Sequence, residues 1–192
     1  MGMEIESKFV CSKETFAQIK ADFPGGKRID METTYYDTFD GKMNNRKWTL
    51  RRRYENGVAV CTLKTPADGN ARHEWEVECG NIIRAIPELC KLGAPLELME
   101  LSVSGLQEVC AAKFTRLALL IQVEGGALEL ALDEGKLLGG GREAPILEVE
   151  VELKEGEEQI MDAFIADLRA KYALNPESKS KYKRAMALAM GK

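Results

Sequence analysis

Apolar and polar residues alternate with a period of two through most of this chain, the pattern of strands that bury one face. Residues 3 to 11 set Glu4, Glu6 and Lys8 on one side of such a strand and Met3, Ile5, Ser7 and Phe9 on the other. Further strands are expected at 28 to 37, where Thr33, Thr34, Tyr35 and Tyr36 suit a pleated surface, and at 47 to 54, 58 to 65 and 71 to 79. Glu55-Asn56-Gly57 predicts a hairpin between the second and third of these, because Asn-Gly readily adopts the backbone of a tight turn. Strands at 113 to 124 and 127 to 133 meet at Gly125-Gly126, and 146 to 154 is the last long one.

Elsewhere the apolar spacing becomes helical. Ser12 predicts an N-cap, followed by an apolar stripe of Phe16, Ile19 and Phe23 that Pro24-Gly25-Gly26 ends. Residues 81 to 112 carry leucines at mixed helical spacing, with Pro87 suited to a first helical position and Gly93 and Pro95 as punctuation; two or three short helices are expected there. Glu157 to Tyr172 is amphipathic, with Ile160, Phe164, Ile165 and Leu168 inward, and Asn175-Pro176 breaks it. Ser178 is expected to cap a final helix carrying Lys179, Lys181, Lys183 and Arg184. Turns or loops are expected at Asp40-Gly41, at 66 to 70 and at 139 to 141; nothing after the three glycines makes them a phosphate loop. About eight strands joined by hairpin-type links, with helices between and after them, predict an α+β fold. Eight such strands can close into an antiparallel barrel with helices outside it. No composition break divides residues 1–192.

Composition narrows the chemistry. Hydrophobic residues make up 45% of the 192 and charged residues 30%, as in a soluble globular protein. No apolar run approaches the ~18 residues of a membrane span, and the start lacks the regions of a signal peptide, so a cytoplasmic protein is expected. A net charge of −4 gives no support for a nucleic-acid partner. The five cysteines include no Cys-x-x-Cys pair and read as free thiols. With His73 as the single histidine, a zinc site or a histidine-based hydrolase is disfavoured, and His73 reads as a polar strand residue.

The strand charges are sorted. Acids gather on the first and last long strands (Glu4, Glu6; Glu148, Glu150, Glu152), and cations on those carrying Arg51, Arg53, Lys64 and Arg116; Arg72, Glu74, Glu76 and Glu78 share another face. A solvated sheet face explains any one strand, but solvent faces usually mix signs. Glu148, Glu150 and Glu152 on one face repel one another unless a cation lies between them. Charged faces turned into a barrel demand pairing, water or ions. Carboxylates favour Mg²⁺ or Mn²⁺ over zinc, and arginine and lysine favour phosphate. Metal-assisted phosphoryl transfer on a phosphate chain follows.

The motifs Glu4-Ile5-Glu6-Ser7-Lys8, Tyr36-Asp37-Thr38, Leu50-Arg51-Arg52-Arg53, Thr62-Leu63-Lys64, Arg72-His73-Glu74-Trp75-Glu76, Phe114-Thr115-Arg116, Ala131-Leu132-Asp133-Glu134-Gly135, Glu148-Val149-Glu150-Val151-Glu152 and Ser180-Lys181-Tyr182 occur in this order along nearly the whole chain. Together they resemble the CYTH family of triphosphate tunnel metalloenzymes, and most of all its bacterial inorganic triphosphatases. Arg52, where the family usually has an apolar residue, and Thr65-Pro66, where a Gly-Pro-like turn is often seen, depart from it. The resemblance implies an eight-stranded antiparallel tunnel with outer helices and Mg²⁺- or Mn²⁺-dependent hydrolysis of tripolyphosphate. Thiamine triphosphate hydrolysis and a class IV-like adenylyl cyclase making cyclic AMP from ATP are the family's other activities, and a non-catalytic polyphosphate or nucleotide binder is the alternative of another class. Carried over residue by residue, Glu4, Glu6, Glu148, Glu150 and Glu152 become metal ligands. Lys8, Arg51, Arg53, Lys64, Arg116 and Lys181 hold the triphosphate, and Glu74 and Glu76 hold a second metal or orient water. Lys8, Arg116 and Glu150 are the expected catalytic groups; the general base stays unassigned, and a homodimer stays open. Some members carry an additional helical phosphate-binding domain; none is expected within these 192 residues.

Overall fold

The computed structural model describes residues 2–68 and 71–191, with side chains from Ile5 onward. In chain order the elements are β1 (Gly2–Glu4), β2 (Glu6–Val10), α1 (Lys13–Asp22), β3 (Lys27–Thr38), α2 (Lys42–Asn45), β4 (Thr49–Glu55), β5 (Val58–Pro66), β6 (Arg72–Glu78), α3 (Ile82–Lys91), α4 (Glu97–Val103), β7 (Leu106–Val123), β8 (Gly126–Gly139), β9 (Arg142–Glu155), α5 (Glu158–Lys171), β10 (Asn175–Pro176) and α6 (Lys181–Ala189). The fold is α+β, built on one sheet in the order β1-β6-β5-β4-β3-β7-β8-β9-β2-β10. Every neighbouring pair is antiparallel. The first expected strand is split at Ile5: Gly2–Glu4 pairs with β6, while Glu6–Val10 pairs with β9. One short segment therefore serves strands that stand far apart in the sheet order.

The sheet's two faces differ in kind. One face carries Phe9, Leu128, Leu130, Leu132, Val149 and Val151, packed against Phe16 and Ile19 of α1 and Met161 and Leu168 of α5. The same face continues as Leu50, Leu63 and Trp75 beneath Ile82, Ile86 and Leu89 of α3 and Leu98 and Leu101 of α4. Each fully buried leucine contributes ~1.5–3 kcal/mol, so these two cores supply most of the driving force. The opposite face bears the charges and is partly covered by α6, whose Tyr182 and Ala185 pack on Met31, Tyr35, Ala112 and Phe114.

Local chemistry places several boundaries. Ser12 accepts from Thr15 N and caps α1 as expected. Asp37 folds the turn before β4: its Oδ1 accepts from Thr38 N and Met43 N, and its Oδ2 from Asn44 N. Four expectations need correction. Helix was expected through residue 112, but β7 begins at Leu106, because the alternation Val109, Ala111 against Cys110, Ala112 already has period two and pairs with β3. Pro87 lies inside α3, since Asn81 accepts from Ile83 N and Arg84 N and starts the helix earlier. Ser180, not Ser178, caps α6, accepting from Lys183 N. Asn175-Pro176 does end α5's excursion, but then pairs with Val10 and Phe9 of β2. The loop expected at 66 to 70 lies partly outside the described residues. Among the described residues no helix is long and apolar enough to cross a membrane.

The glycines at 139 to 141 form the β8–β9 turn, and Gly139 is the seat of α6. A Cβ on Gly139 would stand 2.4 Å from the Ala185 carbonyl oxygen and 2.8 Å from the Ala189 nitrogen. Both obstacles are helix backbone, which cannot step aside as a side chain can. Gly139→Ala should therefore lift α6 and cost ~1–3 kcal/mol or more, read as a drop in thermal midpoint.

Candidate functional site

Alternation puts Lys8, Arg51, Arg53, Lys64, Arg72 and Arg116 on the charged face, and α6 adds Lys181. These cations line one cavity of about 110 Å³ together with Glu6, Glu150, Tyr35, Thr49, Ser180 and Tyr182. Arg51 and Arg53 point inward from β4, whereas Arg52 faces the other way and lies over the rings of Tyr36 and Tyr54 at 5.9 and 5.4 Å. His73 turns from the cavity toward Trp75, with ring centroids 5.9 Å apart.

Behind the cavity lies a buried ionic cluster. Asp133, Glu148 and Glu150 each offer an oxygen within 4.8 Å of the others. Lys181 Nζ stands among them, 2.7 Å from Asp133, 2.9 Å from Glu148 and 2.7 Å from Glu150. Arg116 donates Nε and Nη2 to the two oxygens of Asp133, both at 2.8 Å, and Nη2 also to Glu150. Arg184 donates to Glu148. Register creates this arrangement: Asp133 stands opposite both Arg116 and Glu148, and Lys8 opposite Glu150. Three carboxylates are thus contacted by Lys181, Arg116 and Arg184, with Lys8 beside Glu150 as a further positive charge.

Ionisation follows from the company each group keeps. Burial pushes Glu150 up, but Lys181, Arg116 and Lys8 together outweigh it and hold the carboxyl well below its usual value. Burial likewise lowers Lys181 and Arg116, yet the surrounding carboxylates leave both raised. Lys8 is raised against its burial by Glu6 and Glu150. Arg53 is the opposite case. Its burial, and then the charge of Arg51, bring it down to about 10. Thr33 Oγ1 accepts from its Nε at 3.0 Å and Glu55 is 3.6 Å away, which leaves this guanidinium short of anionic charge.

The remaining expected residues fall around this centre. Glu74 lies 3.6 Å from Arg51 and 3.2 Å from Lys64; Glu76 lies 3.6 Å from Arg51 and accepts from Thr62 Oγ1 at 2.8 Å. Glu6 pairs with Lys8. Glu152 stands in register between Glu6 and Glu129 and pairs with Lys154 at 2.8 Å, one step along from the buried cluster. The Glu4 side chain lies outside the described residues. Sequence reasoning left Asp133, Arg184 and Arg72 out of the site. Asp133 carried a signal, an acid within the apolar alternation Leu130, Leu132. Arg184 is one turn beyond Lys181 on α6, and Arg72 donates to the carbonyls of Lys47 and Lys64 at 2.8 and 3.2 Å.

A sheet with an outward apolar face and a cation-lined cavity backed by buried acids defines a narrow class of protein. The chain belongs to the CYTH domain family, whose model matches residues 2–186. An inorganic triphosphatase of Haemophilus influenzae is 31% identical over 197 aligned residues, taking in 98% of this chain and 55% of that protein. The chain thus spans about half the length of that curated relative. Three solved structures share the fold at 20% identity each. A Hippeastrum protein described as a candidate adenylyl cyclase with a dominant triphosphatase activity aligns at a TM-score of 0.64 over 100% of this chain and 97% of its own. A Pyrococcus horikoshii protein aligns at 0.64 over 98% and 99%. A candidate adenylate cyclase of Bacillus halodurans aligns at 0.63 over 94% and 96%.

Glu150 generates a pH test. Its folded carboxyl is more acidic than its unfolded one, so the stability it contributes is complete above the usual value of 4.5 and is lost as pH falls below it. Glu150→Gln should cost ~3 kcal/mol or more at pH 7 by leaving Lys181 and Arg116 under-compensated. Urea unfolding should show the gap to wild type narrowing steadily as pH falls below 4.5.

Proposed function

We propose that this chain is a Mg²⁺- or Mn²⁺-dependent triphosphatase that hydrolyses inorganic tripolyphosphate to pyrophosphate and phosphate within a closed barrel. The pairing supports closure. Because β1 and β2 are separated by Ile5 alone, the ends of the sheet order are continuous in the chain. Counting them as one interrupted strand and setting aside the two-residue β10 leaves eight strands around a charged bore.

The observation that carries the reading is the gathering of Lys8, Arg51, Arg53, Lys64, Arg72, Arg116 and Lys181 on one small cavity. Arg53 in particular is buried with its carboxylate partner, Glu55, 3.6 Å away, and its affinity for a proton is lowered, a state that an incoming phosphate oxygen would relieve. Arg51, Arg53 and Lys64 hold the phosphate chain, with Glu74 and Glu76 keeping Arg51 and Lys64 extended. Lys8 and Arg116 stabilise the charge that develops on the departing pyrophosphate, and Glu150 fixes both. Water attacks the terminal phosphorus as its bond to the bridging oxygen breaks; that oxygen departs on pyrophosphate.

The donor chemistry fits a hard divalent ion. Glu6 and Glu152 stand opposite each other in register, and Asp133, Glu148 and Glu150 supply oxygens within 4.8 Å of one another. When bound there, the ion supplies neutralisation of the phosphate oxygens. The aromatic residues of the lining, Tyr35 and Tyr182, pack on each other at 5.2 Å, so neither ring is free to stack on a base without parting from the other, which favours tripolyphosphate over ATP. The triphosphatase activity of the Haemophilus influenzae relative points the same way.

Phosphate release should be fastest on tripolyphosphate when it is compared with thiamine triphosphate and ATP, and should require Mg²⁺ or Mn²⁺. Preference for either organic substrate, or cyclic AMP from ATP, overturns the assignment. Arg53→Ala should lower kcat/KM by ~100-fold or more, and Glu6→Gln should abolish metal-dependent turnover with little change in melting temperature. Full activity in both variants would remove the proposed site.

A further inference from the structure

Phosphate recognition by Arg53 needs more than charge: the guanidinium must present its donors in a fixed direction. Arg53 lines the cavity, and Thr33 Oγ1 accepts from its Nε at 3.0 Å. We infer that Thr33 is a positioning residue that holds the Arg53 guanidinium by its side and leaves the two-pronged end for two oxygens of one phosphate. This inference rests on the proposed function and adds to it the residue that orients one of its cations.

Three observations carry it. First, the Thr33 hydroxyl stands among apolar neighbours. Alternation along β3 places Thr33 between Met31 and Tyr35, and register sets it opposite Ala112 on one flank and Arg53 on the other. Met31, Tyr35 and Ala112 belong to the core beneath α6, and Thr33 is only 1% exposed. A hydroxyl buried there costs free energy unless it is hydrogen-bonded. Valine has the same outline and suits a strand at least as well, so packing alone would favour it. The bond to Arg53 is what threonine adds. Second, the contact is made to Nε. A guanidinium can meet an oxyanion with its side, through Nε and one Nη, or with its end, through both Nη groups. Thr33 takes the side and leaves the end. Third, the other neighbours of the guanidinium give it little direction. The Phe114 ring lies 5.9 Å from Cζ and offers a face to rest on, and Glu55 is 3.6 Å from Nη1, outside hydrogen-bond range.

A neutral acceptor suits this task. A carboxylate in the place of Thr33 would also hold Nε, but its charge would compete with the phosphate. The hydroxyl orients the guanidinium and leaves the positive charge for the ligand. Because the side chain is ordered before phosphate arrives, less freedom is lost on binding. Substrate and transition state should gain alike from that, so the effect belongs in KM rather than kcat.

A double-mutant cycle tests this, read as calorimetric binding of tripolyphosphate without metal and as turnover with Mn²⁺. Thr33→Val should weaken binding and raise KM on the order of tenfold, with kcat changed less than about twofold. Thr33→Ser, which keeps the hydroxyl, should restore both. In an Arg53→Ala background, Thr33→Val should cause no further loss. Wild-type affinity in Thr33→Val overturns the inference, as does a loss of equal size with and without Arg53, or no recovery in Thr33→Ser. Thr33→Ala is measured in parallel; loss of a cooperative melt in both hydroxyl-free variants assigns the hydroxyl to folding and also overturns it. The two ideas fail separately. A wild type that binds tripolyphosphate without hydrolysing it, with the Thr33–Arg53 coupling intact, refutes only the activity. Hydrolysis with Thr33 and Arg53 contributing independently refutes only the positioning.

Discussion

Three carboxylates placed side by side inside a protein must be neutralised, and most of this structure can be understood as the means of doing so. Asp133, Glu148 and Glu150 come together because β8 and β9 align in a register that sets acid beside acid. Arg116 reaches them from β7, but Lys181 and Arg184 come from α6. The helix must therefore dock, and docking requires the bare backbone at Gly139 and the stacking of Tyr182 on Tyr35. A buried ionic cluster is poor evidence of stability, because a well-packed apolar replacement is often as stable or more so. Its presence here is better explained by chemistry than by folding energy.

The two faces of the sheet divide the work. Folding energy comes from the face covered by α1, α3, α4 and α5, where leucine, isoleucine and valine predominate. That leaves the other face free to hold charges at a density no ordinary core would tolerate. The usual β-sheet protein hides its apolar face and wets the charged one from outside. On our reading this chain encloses the charged face, so the site stays shielded while the helices carry the burden of stability.

Much of this was legible in the alternation. A period of two told which of Arg51, Arg52 and Arg53 would share a face, and put Glu6, Lys8, Glu150 and Arg116 on the cavity side. Two things were not legible. Strand length was misjudged at 106 to 112, where a long apolar stretch follows two true helices and small residues such as Ala111 and Ala112 fit either period. Partnership was the other: Asp133 looks like one acid among many until β8 is set beside β7 and β9, and Arg184 looks like a solvated helix residue until α6 is docked. Register and docking are long-range properties that no local window contains. The same limit made Glu148 read as a metal ligand alone, with no sign that a lysine from the last helix would stand beside it.

The break at Ile5 has a consequence for how the molecule is made. Glu6 and Lys8 are made well before the strand they sit beside, since β2 pairs with β9 and with the short β10 that follows it. Until then the opening segment has β6 available on one flank and nothing on the other. Contacts so distant in sequence are slow to form and cannot seed folding. The earliest-made part of the pocket is therefore completed last, and an incomplete nascent chain holds no finished binding site with which to sequester phosphate or metal from the cell.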